Sequence, residues 1–111
     1  MTEEEYVRSK WDILETTSYW TIMGQAYTGR KTDAEAWSAA AEFTRQREEE
    51  IRQVEAQYVL LGADQLDTWS NAMSYDNWDP ERSWWFHLWV QRALVMARLE
   101  AALAELKRGM K

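Results

Sequence analysis

A chain of 111 residues falls in the size range of a single domain with one hydrophobic core, which excludes most multidomain enzymes. With no cysteine it has no disulfide, no thiolate metal site and no cysteine nucleophile. Its 19 acidic against 13 basic side chains, a net charge of −6, argue against a protein whose main work is neutralising nucleic-acid phosphates.

No apolar run approaches the roughly 20 residues of a bilayer span. The opening Met1-Thr2-Glu3-Glu4-Glu5 is acidic where a secretory signal is basic. The expectation is a cytoplasmic protein with no membrane contact and no direct nucleic-acid contact.

In chain order, residues 3–11 read as a short helix. Residues 12–17 and 19–23 are rich in β-branched and aromatic types and read as a β-hairpin, with Gly24 and Gly29 bracketing a third strand. The competing reading makes 3–23 a single helix. Thr32-Asp33-Ala34-Glu35 is a capping box, in which the threonine oxygen accepts a backbone N–H and the glutamate reaches back. Behind it Trp37, Ala40, Thr44, Arg47, Ile51, Val54, Tyr58 and Leu61 recur at helical spacing, so a helix spans 33–61 with Gly62 as its stop.

Residues 64–73 read as a short helix with Leu66, Trp69 and Met73 inward, and Ser74 to Trp78 as a loop. Asp79-Pro80 is an N-cap followed by proline at the first helical position. The last helix follows, to about residue 108, with its stripe at Trp85, Leu88/Trp89, Val95/Met96, Leu99, Ala102/Leu103 and Leu106 and with Gly109 just beyond. The two long helices would pair antiparallel, bringing Arg92 towards residues 48–55. The fold expected is therefore α+β, a helix and small hairpin packed on a long helical hairpin; the alternative is an all-α bundle.

Val7-Arg8-Ser9-Lys10-Trp11, the aromatic stretch Tyr19-Trp20-Thr21-Ile22, and Thr32-Asp33-Ala34-Glu35-Ala36-Trp37 with Ala39 to Arg45 together resemble a group of small uncharacterised proteins of bacteriophages and prophages. The resemblance covers roughly residues 6–60. It implies an α+β fold and a phage or prophage setting, and it carries no catalytic residues.

Chemistry has few candidates. His87 is the one imidazole, four residues after Ser83 on the same helix face, with no strained elbow or glycine loop beside it. Asp64, Asp67, Asp76 and Asp79, with Asn71 and Asn77, form the one acidic cluster that offers ligands for calcium, magnesium or manganese, but the spacing fits no twelve-residue calcium loop. No glycine lies in a phosphate-cradling pattern. Neither a catalytic residue nor a cofactor is expected.

What stands out is eight tryptophans and five tyrosines. Trp84 and Trp85 are adjacent, about 100° apart on a helix, and with Leu88 and Trp89 they make an apolar face wider than one neighbouring helix covers. The expectation is a non-enzymatic interaction protein, a homodimer or the binder of another protein, with Tyr75, Asp76, Trp78, Trp84, Trp85 and Trp89 at its contact. Two other readings remain at this stage: a divalent-cation or ligand-binding domain using the 64–79 acids, and an acidic decoy of a host nucleic-acid-binding protein.

Overall fold

The computed structural model describes residues 1–14 and 17–111. Among them it contains four helices and no strand: α1 (Glu3–Lys10), α2 (Thr17–Tyr27), α3 (Asp33–Met73) and α4 (Pro80–Lys107). The fold is all-α, so the expected α+β class is overturned and its all-α alternative fits.

The correction falls on residues 12–29. Where the second strand and part of the first were expected, Thr17 to Tyr27 is helical; residues 15 and 16 of the first strand lie outside the described residues. The β-prone types are overruled by burial: Tyr19, Ile22, Met23 and Ala26, spaced three, four and seven apart, are the side chains α2 buries. Thr21 and Thr28 adapt by donating their hydroxyls to the carbonyls of Thr17 and Gly24, one turn back. Gly24 lies inside the helix, and Gly29, at φ 73°, makes the left-handed turn that follows it. The segment expected as a third strand is the end of α2 and the turn after it.

A second correction concerns Gly62. α3 runs for 41 residues, straight through this glycine and the expected short helix. Good helix formers on both sides outweigh the roughly 1 kcal/mol that glycine costs. The turn therefore moves to residues 74–79 and the pairing of α4 shifts: Arg92 meets the Thr68 hydroxyl and the Asp64 carbonyl instead of the 48–55 stretch.

The helix boundaries read from Thr32, Asp79 and Gly109 hold, unlike the one read from Gly62. Glu35 N–H donates to Thr32 Oγ1 (3.2 Å), while the Glu35 carboxylate accepts from Lys31 N–H (3.1 Å), one residue earlier than the ideal box. Asp79 Oδ1 accepts from Glu81 N–H (3.0 Å) at the start of α4, and Gly109 has φ 77° beyond its end. Thr2 caps α1 in the same way through Glu5 N–H (3.1 Å).

The chain divides into two compact units, Met1–Ile51 with Glu105–Lys111, and Arg52–Ala104. The first holds a closed core in which Val7, Trp11, Tyr19, Ile22, Met23 and Ala26 pack on the small Ala40 and Ala41 of α3. Trp11 is fully buried; its indole N–H donates to Thr44 Oγ1 (3.0 Å), which donates to the Ala40 carbonyl (2.7 Å). The chain end joins this unit through an isolated antiparallel bridge of Trp11 with Met110. Lys10 and Glu48 form an ion pair at 3.3 Å.

The second unit is an antiparallel helix pair. Its contacts run in order from Tyr58 with Glu100, through Gly62 with Met96, to Trp69 with Trp89. Its buried positions are Gln65, Thr68 and Ala72, all on α3, and α4 contributes none. No described helix is long and apolar enough to cross a membrane.

Candidate functional site

In the second unit the seam between the helices uses Tyr58, Leu61, Gln65, Thr68 and Ala72 of α3 against Trp85, Trp89, Arg92, Met96, Leu99 and Leu103 of α4, none of them exposed. The position following each seam residue is rotated by about 100°. In an antiparallel pair those following positions turn to the same side on both helices. On α3 they include Val59, Gly62, Leu66, Trp69 and Met73, and on α4 Phe86, Val90, Ala93 and Ala97. Trp69 ties the two rows together, its ring 5.5 Å from Phe86 and 5.6 Å from Trp89.

This flank carries no charge between residues 59 and 73 of α3 or between 86 and 97 of α4. It is also open: Val59 is 68% exposed, Leu66 73%, Trp69 45%, Met73 44% and Val90 49%. Isolated exposed apolar residues are ordinary, but a continuous row across two helices is the kind of patch that marks a contact. The opposite flank mixes Leu60, Trp84 and Val95 with Asp64, Asp67, Gln91 and Arg98.

Charged groups close both ends of the apolar flank. At the turn end the Arg82 guanidinium sits 5.3 Å over the Phe86 ring and bonds Asn77. At the other end Glu100 accepts the Tyr58 hydroxyl. This hydrogen bond to the carboxylate, with desolvation and the Glu100 charge as lesser causes, raises the Tyr58 hydroxyl above its ordinary pKa.

The six residues singled out from sequence do not form one surface. Tyr75, Asp76 and Trp78 lie in the α3–α4 turn, where Trp78 is 83% exposed. Trp84 faces the opposite flank and stacks edge-on against Trp85 at 4.8 Å. Trp85 and Trp89 are half-buried in the seam, and the buried Trp85 indole N–H has no hydrogen-bond partner among the described residues. Sequence reasoning set Leu66, Trp69 and Met73 on one face but turned it inward, where the structure leaves it exposed, and it missed Val59 and Val90, which continue that row.

The other candidates do not assemble. Among the described residues no three acidic or histidine side chains converge as metal ligands. Asp64 and Asp67 are on α3, Asp76 is in the turn, and Asp79 is engaged as the α4 cap. The His87 ring lies 3.0 Å from the Gln91 amide nitrogen. A cleft of about 480 Å³ in the first unit is lined by Thr21, Gln25, Arg47 and Arg108 among others. Its cations are already engaged, Arg47 with the Leu106 carbonyl (3.4 Å) and Arg108 with Glu105 (3.9 Å). A search of family models, curated proteins and solved structures finds no match to this chain.

Proposed function

We propose that this is a non-enzymatic interaction protein of the cytoplasm that docks through the uncharged flank of its second unit. The observation that carries the reading is the uninterrupted apolar row of Val59, Leu66, Trp69 and Met73 beside Phe86 and Val90, left open on a helix pair that buries so little. Covering such a row with another apolar helix surface removes it from water at roughly 25 cal/mol per Å². The phage or prophage setting rests only on the resemblance of residues 6–60, and the cytoplasmic location on composition.

The test compares the wild-type chain with Leu66→Lys/Val90→Lys. Both sites are exposed in the single chain, so at a concentration too low for association helix content and unfolding midpoint should stay close to wild type, each change costing within about 0.5 kcal/mol. Association, followed by solution mass, or binding of an apolar fluorescent dye should fall sharply in the variant. Identical mass and identical dye binding in the two proteins would overturn the reading.

A further inference from the structure

Building on that contact reading, we infer that the flank is covered by a second copy of this chain, in an antiparallel two-fold arrangement that closes the second unit into a four-helix bundle. The flank is self-complementary about its own midpoint. Its α3 row is centred on Leu66 and its α4 row near residues 91 and 92. The pairing of Trp69 with Trp89 and of Gly62 with Met96 sets those two centres at one height.

A two-fold axis through that height, running across both helices, lays α3 on α3 and α4 on α4, antiparallel in each case. The aromatic rings and Val90 then meet small residues, while Leu66 meets Leu66 and Val59 meets Met73. Trp69 enters the hole between Gly62, Ala63 and Leu66 of the second copy, Phe86 falls on its Ala97, and Val90 falls on its Ala93. The same axis treats the charges alike. Arg82 and Glu100 are each nine residues from position 91, so each arginine arrives beside the glutamate of the other copy.

The other face-to-face pairing, with its axis along the helices, would set Trp69 over Phe86 and Trp89, and Gly62 over Ala97. It stacks bulk on bulk and leaves gaps at the small end. The exposed part of the large flank side chains amounts to on the order of 500 Å² per copy, about 1,000 Å² for a pair when all of it is covered, the size of a weak, reversible interface.

The experiment uses the full chain. Light scattering over a range of concentrations should give twice the chain mass. Leu66→Cys, placed beside the axis in a chain with no other cysteine, should form a disulfide with the same position of the second copy on mild oxidation, while Val95→Cys on the opposite flank should stay unlinked. Arg82→Glu and Glu100→Arg should each weaken the dimer about tenfold, and the two together should restore it to within a few-fold. Restoration cannot come from the contacts with Asn77 and Tyr58, because the combined variant lacks both.

A monomer at every concentration overturns the inference. If that monomer binds the apolar dye through Leu66 and Val90, the contact surface itself stands with a different occupant; if it does not, both readings fall. A dimer that ignores the charge reversals and links through Val95→Cys overturns this geometry.

Discussion

The two units use the same long helices and reach opposite degrees of burial. In the first, α1, α2 and the chain end surround α3, and an indole, a phenol and several aliphatic side chains leave water entirely or nearly so. In the second, among the described residues, α3 pairs with α4 alone, and two of the three residues it buries are polar. A helix pair has one seam, and side chains beyond that seam stay wet however apolar they are. Apolar content thus says little about where a core is; the number of elements around a helix decides it.

The largest expected effect breaks the closed side of this contrast. Trp11→Ala removes a fully buried ring and leaves the Thr44 hydroxyl without its donor, and should destabilise the chain by about 3–5 kcal/mol in urea unfolding. Trp78→Ala, the same change at an exposed turn, should fall within about 0.5 kcal/mol.

A smaller effect sharpens the reading of α3. Gly62 has no positive φ, and an added Cβ would meet Met96 Cε at an ordinary 3.8 Å. Gly62→Ala should therefore stabilise by about 0.5–1 kcal/mol when measured on the dilute single chain. Loss of stability would mean that the glycine ends a helix after all.

The smallest effect concerns pH. Because the Tyr58 pKa is raised in the folded chain, the stability from its bond to Glu100 is fully present below the unfolded value near 10 and is lost as pH rises through the folded one. Phenolate absorbance should show one tyrosine titrating late, and Glu100→Gln should bring it back towards the ordinary value.

Caps were legible because their chemistry is local. Thr32 with Glu35, Asp79 with Pro80, and Gly109 each declare a helix end within a few residues. α2 was not, since Thr17, Thr21 and Ile22 favour strands on their own and become helical because Tyr19, Ile22, Met23 and Ala26 find a common surface on distant residues. Gly62 misled for the converse reason: a local stop signal was overridden by good helix formers around it. At the candidate site the tryptophans drew attention by their number, yet Trp84, Trp85 and Trp78 point to three different places. The continuous flank depends on Val59, Leu66 and Val90, ordinary residues whose role appears only when both helices are placed side by side.

The unbroken length of α3 also makes it a ruler for amide exchange. Its early amides, around Ala36 to Thr44, lie against a closed core and should exchange only when the whole structure opens. In the dilute single chain those from Leu66 to Met73 lie where the helix has one neighbour and a nearby turn, and should exchange through fraying from that end. A protection slope along a single helix would then record, residue by residue, where the cooperative part of this protein stops.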